Sequence, residues 1–149
     1  MWKEAYLANV LSADPMELVC LLYRHALDAV RDARRHLASR DIAERAKAIS
    51  KAIAIVGELN SSLDQKAGGT ISANLERLYS YLTLRLTEAN IRQQDAPLAE
   101  VESLLVTLSQ AWEEARAKQV PGQPPEIPVA PAAVWQETNR EPAAHGWSA

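Results

Sequence analysis

The chain has 149 residues, 48% hydrophobic and 23% charged, with a formal net charge of -3. That is about one domain of ordinary soluble composition, long enough to bury a core without disulfide or metal staples. The charge excludes a global pull toward nucleic acid or anionic lipid, and the single cysteine, Cys20, excludes an internal disulfide framework and fits a reducing compartment.

Residues 1–13 carry Trp2, Tyr6, Leu7, Val10 and Leu11. That is more apolar surface than a free arm should hold, so the segment reads as an N-terminal arm that covers something. No charged region followed by an apolar stretch marks a signal peptide, and no apolar run reaches the ~20 residues of a membrane span. A cytoplasmic protein without membrane insertion is expected.

Asp14-Pro15-Met16-Glu17 opens the first helix: an acceptor for free backbone N–H groups, a proline at the first position, and a glutamate at the capping-box offset. The spacing predicts a helix to about Ser39 with Val19, Leu22, Ala26, Ala29, Ala33 and Leu37 inward. From Met16 to Tyr23 only Glu17 is charged, so this part is apolar nearly all round. Either the excess is core or it forms a groove for a partner's amphipathic helix, covered by the arm until the partner arrives. Cys20, inside this run, reads as a small core residue.

Asp41 opens the second helix, with Glu44 at the matching offset. Ile42, Ala46, Ile49, Ile53, Val56 and Leu63 form its stripe, widened by Ile55 and Leu59. Gly68-Gly69 ends the next loop, because glycine accepts the positive φ such a connection needs. The third helix carries Ile71, Leu75, Leu78, Leu82, Leu86 and Ala89. Asp95-Ala96-Pro97 breaks and restarts the chain, and the fourth shows Leu98, Val101, Leu105, Leu108, Trp112 and Ala115.

Alternating steps of three and four with short connections predict an all-α fold, an antiparallel four-helix bundle over residues 14–119. Residues 120–149 hold six of the 8 prolines and no usable period, and read as a flexible proline-rich tail in which Trp135 and Trp147 stand out.

Little in the sequence suggests catalysis. No Glu-x-x-His, Gly-x-Ser-x-Gly or phosphate-loop pattern occurs, and Glu113 and Glu114 point in different directions on a helix. His25, Asp28, Asp32 and His36 fall along one side of the first helix at steps a metal could use. Alternation with Arg24, Arg31, Arg34 and Arg35 favours an exposed salt-laced face instead, and against nucleic acid as a partner. No enzyme, cofactor or metal site is expected.

The stretch Tyr6…Val10…Ser12-Ala13-Asp14-Pro15…Leu18…Leu21-Leu22-Tyr23…Ala26 is similar to the opening motif of the flagellar secretion chaperone (FliS) family. A second match is Glu58-Leu59-Asn60-Ser61-Ser62-Leu63-Asp64, then Gly68-Gly69, then Asn74-Leu75…Leu78-Tyr79…Tyr81…Arg85-Leu86…Ala89-Asn90, with Trp112 in the last helix. Order and spacing agree across residues 6–117. The resemblance implies a bundle that binds the disordered C-terminal segment of flagellin, prevents premature polymerisation and presents it for flagellar type III export. It also implies candidate flagellin-binding residues: Tyr6 with Leu7, Val10 and Leu11 from the arm, Leu18, Leu21 and Leu22 as groove walls (at least one of them plain core), and Asn90. Tyr79, Tyr81 and Asn90 have the competing reading of bundle packing or a buried hydrogen bond. Arg24 and His25 depart from the pattern, which has an acidic residue after the Leu-Tyr pair, and the tail has no counterpart in it. A contact with the export gate and a homodimer stay open as further partnerships. The alternative reading is a helical adaptor that receives another amphipathic helix in a regulatory or export complex.

Overall fold

A computed structural model describes residues 15–63 and 65–118. The arm, the Asp14 cap and the tail from residue 119 lie outside the described residues. Four helices follow one another: α1 (Pro15–Ala38), α2 (Ile42–Ser61), α3 (Gln65–Arg92) and α4 (Asp95–Ala117). α1 packs on α2 and α4, and α3 packs on the same two. The helices thus run around the bundle in chain order, each antiparallel to the last, with α1 and α3 on one diagonal. Among the described residues there is no strand.

The connections explain the alternation. At the end of α1, Arg40 takes a left-handed φ of 61°. Its N–H donates to the Leu37 carbonyl at 3.2 Å, and the Asp41 N–H donates to the His36 carbonyl at 2.9 Å, a Schellman closure. Asp41 then serves a second helix. Its side chain accepts from the Glu44 N–H at 3.2 Å, as the sequence predicts, and its carbonyl accepts from the Arg45 N–H at 3.0 Å. One residue both stops α1 and starts α2, which reverses the chain within a few residues. At the far end of α2 the Ser61 and Ser62 hydroxyls donate to the Gly57 and Leu59 carbonyls, satisfying acceptors the last turn leaves free.

Two boundaries differ from expectation. Helical hydrogen bonding in α3 begins at Gln65, ahead of the glycine pair, and Gly69 (φ 52°, ψ -124°) interrupts the helix from within. Glycine tolerates this conformation, so the chain redirects there without a separate loop. The break before α4 falls at Gln93 (φ 54°) and extended Gln94, and Asp95 is already helical. Pro97 therefore sits in the first turn, where its missing N–H has no helical acceptor to lose.

The core runs the length of the bundle: Leu22, Tyr23, Ala26 and Val30 of α1, Ile49, Ile55 and Leu59 of α2, Leu78, Leu82 and Leu86 of α3, and Leu98, Val101 and Leu105 of α4. Each such leucine or isoleucine contributes about 1.5–3 kcal/mol by leaving water. The α2 stripe is rotated from the predicted one. Ile55 and Leu59 are fully buried at its centre, whereas Ile42, at the first helical residue, is 59% exposed.

A candidate groove for a partner helix

The start of α1 is apolar on all sides, yet its residues divide sharply. Met16, Cys20, Leu22 and Tyr23 are buried, while Leu18, Val19 and Leu21 are half-buried. Leu22, at 1% exposure, is plain core and no wall. Leu18 and Leu21 remain as candidate walls. Tyr6, Leu7, Val10 and Leu11 lie outside the described residues. The Cys20 thiol is pushed up to about 11, first by burial and then by the negative charge of Glu113, so it stays a neutral core group as the sequence implies.

Below this end, the Tyr23 and Tyr79 hydroxyls share a hydrogen bond of 2.6 Å, and the Trp112 ring lies 6.4 Å from that of Tyr23 at 32°. The bond joins α1 to α3 across the diagonal, a link that no adjacent pair of helices supplies. Burial moves the Tyr79 hydroxyl up to about 12, and the Tyr23 hydroxyl is also driven well above the ordinary tyrosine range, chiefly by burial. Tyr81 donates to Glu100 Oε2 at 2.7 Å, and Arg85 Nε donates to the other oxygen at 2.6 Å, clamping α3 to α4.

Asn90 is half-buried and holds Arg45. Its Oδ1 accepts from Arg45 Nε at 3.3 Å and its backbone carbonyl from Arg45 Nη2 at 3.5 Å. That carbonyl belongs to the last turn of α3, where helical acceptors lack partners and the helix dipole favours a cation. The buried guanidinium, 4% exposed, thus closes α3 from α2. Arg45 was not singled out from the sequence, although its place between Ile42 and Ile49, on the inward side of α2, was the available signal.

The seams between helices differ in chemistry. Along α1–α4 charge pairs run from end to end. Arg24 meets Glu113 at 2.8 Å, Arg31 meets Glu102 at 3.2 Å, and Arg34 reaches Glu102 at 2.9 Å. Arg34 also grips both oxygens of Asp95 at 2.8 Å. Arg24, the departure from the family pattern, is therefore committed to the α4 seam. Asp32 of the His/Asp ladder accepts from Arg35 at 2.6 Å. Among the described residues no group of three or more His, Cys, Asp or Glu side chains converges on a metal-sized point.

The α2–α3 seam opens into a cleft of about 250 Å³ lined by Val56, Gly57, Asn60, Tyr79, Ser80 and Thr83. A Cβ placed on Gly57 would meet nothing within 4 Å. Farther along α3, Leu84 is 54% and Ile91 73% exposed. These two are one heptad apart and continue the outward face of Ser80, so a shallow uncharged depression grades into an apolar stripe. Such a surface takes an amphipathic segment by shape and burial rather than by charge. The sequence reading missed it, since the small residues that open the cleft are silent in a hydrophobic pattern.

The family model described as flagellar protein FliS matches residues 3–119. The chain is 39% identical to the flagellar secretion chaperone FliS of Salmonella typhimurium over 73% of this chain and 82% of that protein. It is 38% identical to FliSB of Pseudomonas aeruginosa over 71% and 84%. It is 34% identical to FliS of Bacillus subtilis over 74% and 83%. The matched region takes in all four helices and every seam described above, and the chain belongs to the FliS family of flagellar proteins.

Proposed function

We propose that the chain is a cytoplasmic, non-enzymatic export chaperone that binds the disordered C-terminal segment of flagellin, keeps it from polymerising and delivers it to flagellar type III export. The observation that carries the reading is membership of a family whose relatives are named flagellar secretion chaperones, over the whole bundle. The geometry supports it. Charge pairs close α1–α4, whereas the α2–α3 side offers an uncharged cleft and exposed leucine and isoleucine on which amphipathic segments can lie. A client that would otherwise pack into a filament as helices is neutralised when its apolar stripes are occupied. Because a disordered client loses entropy on binding, a long wrapped interface is required. That interface would run from the arm residues Tyr6, Leu7, Val10 and Leu11, past Leu18 and Leu21, to the α2–α3 face. Leu22 supports it from the core, and Asn90 supports it through Arg45.

The test is calorimetric titration with the C-terminal segment of flagellin from the same organism, with circular dichroism before and after. Saturable one-to-one binding with a gain of helicity is expected. No binding with both partners in solution would move the assignment to an adaptor for a different helix.

A further inference from the structure

We propose that Arg45 is the register anchor of the α2–α3 face: its guanidinium receives one acidic side chain of the client's amphipathic segment. The proposal rests on the function proposed above and deepens it, by naming the charge that fixes where the segment lies. An apolar face alone leaves that open. Leu84 and Ile91 stand one heptad apart, so an amphipathic stripe that slips by a heptad meets the same kind of contact again. One polar group set into such a stripe specifies the register.

The charge on Arg45 is unbalanced. The residue is 4% exposed, yet among the described residues it forms two hydrogen bonds, both to Asn90, and no ion pair. The carboxylates at this end of the bundle are engaged elsewhere. Asp95 holds Arg34, Glu88 holds Arg85, Glu44 holds Lys47, and Asp41 caps α2. What remains for the guanidinium is the Asn90 side-chain dipole and the terminus of α3, together a fraction of one charge. A cation already stripped of water by folding, and held in place by Asn90, favours a carboxylate that reaches it.

The guanidinium can be reached. Nε and Nη2 hold Asn90, while Nη1 has no hydrogen-bond partner. No buried side-chain nitrogen or oxygen among the described residues lacks a hydrogen bond, so Nη1 must touch the surface. Beside it on α2 stands Ile42, one turn before Arg45, and on α3 Ile91, next to Asn90; they are 59% and 73% exposed. A free donor with an exposed isoleucine on each helix suits an acidic residue that has apolar neighbours on its own helical face. A pair sheltered in this way is screened little by salt, and the rest of the face binds by burial.

The first experiment needs no client. Butyrate, a carboxylate with a short apolar tail, is titrated into the full chain at constant ionic strength, and NMR follows the Arg45 Nε–H, the Asn90 side-chain amide and the isoleucine methyls. Saturable shifts at Arg45, Asn90, Ile42 and Ile91 are expected, and none with butyramide. No shift, or an equal shift with butyramide, overturns the site. The second experiment is a double-mutant cycle with the flagellin segment, its acidic residues changed to amides one at a time. One such change should weaken binding to the parent roughly ten- to a hundredfold and leave binding to Arg45→Gln unaltered. A loss in Arg45→Gln that is the same for every segment variant would make Arg45 only the closure of α3 and overturn the anchor. Coupling to the segment's C-terminal carboxylate, read by amidating it, would overturn the side-chain assignment. If Arg45→Gln loses its helicity, Arg45→Lys takes its place: it keeps the charge without the planar fork, so the effect of that one amide change should shrink. An undiminished effect would again overturn the anchor. A segment that does not bind sinks the proposed function and the client with it, whereas the butyrate titration still decides whether Arg45 takes a carboxylate.

Discussion

Tyr23 and Tyr79 each bring a hydroxyl into the dry centre of the bundle, and each is tolerable only because the other is there. Phenylalanine at one position leaves the opposite hydroxyl buried without a partner, which costs about 1–3 kcal/mol. Phenylalanine at both removes donor and acceptor together. The prediction is non-additivity in chemical denaturation: Tyr23→Phe and Tyr79→Phe each destabilise, and the double variant loses clearly less than their sum. Additive losses would mean that the hydroxyls act independently. Both groups are held neutral by burial, with Tyr79 near 12. A raised value in the folded state gives stability that is complete below the ordinary tyrosine range and is lost as pH rises above about 10. The resemblance marked both tyrosines, and for Tyr79 the sequence left packing or a buried bond as the competing account. Their contact, across fifty-six positions of chain, has no local signature, so their pairing could come only from the fold.

At the scale of the element, Arg40 sits where helices usually carry glycine. Its φ of 61° costs a residue with a side chain about 1–2 kcal/mol, partly offset by the greater freedom glycine has in the unfolded chain. Arg40→Gly is expected to raise stability by about 0.5–1 kcal/mol, read from the denaturation midpoint at unchanged slope. A loss would show that the arginine side chain contributes something that its exposed position does not reveal. The helices themselves were legible because their signals are local. Asp41 caps α2 with Glu44 at the expected offset, and Leu78, Leu82 and Leu86 face inward at the expected steps. The failures have equally physical causes. Ile42 fits the α2 period but lies at the helix start and stays exposed. Gly68-Gly69 reads as the end of a loop, although a glycine can also redirect a helix that has already begun, as Gly69 does. The candidate site was less legible still. Leu18, Leu21 and Leu22 look alike in a pattern, and only packing separates the buried Leu22 from its half-buried neighbours.

The whole molecule is asymmetric in what closes its seams, and acid should expose the asymmetry. Asp95, Glu102 and Glu113 are each held below the usual carboxylate range, first by hydrogen bonds from Arg34, Arg34 and Arg24 respectively. A lowered value in the folded state means stability that is present above the unfolded value, about 4, and lost as pH falls through the folded one. The groups are partly exposed, so water and salt screen them and each pair alone contributes little. Glu102 is the most consequential of the three, because it accepts from both Arg31 and Arg34 and is the most sheltered, with 22% of its side chain exposed. The melting temperature should therefore fall between about pH 5 and pH 3, and Glu102→Gln should flatten that fall while lowering stability at neutral pH. High salt at pH 7 should reproduce part of the loss in the parent and less of it in the variant. On the proposed function the client lies on the uncharged α2–α3 face, and its affinity should then hold over the salt range that weakens the α1–α4 seam. If salt instead weakened client binding in step with the melting temperature, the working surface would have to include the charged seam, and the cleft at Gly57 would lose its place as the centre of the groove.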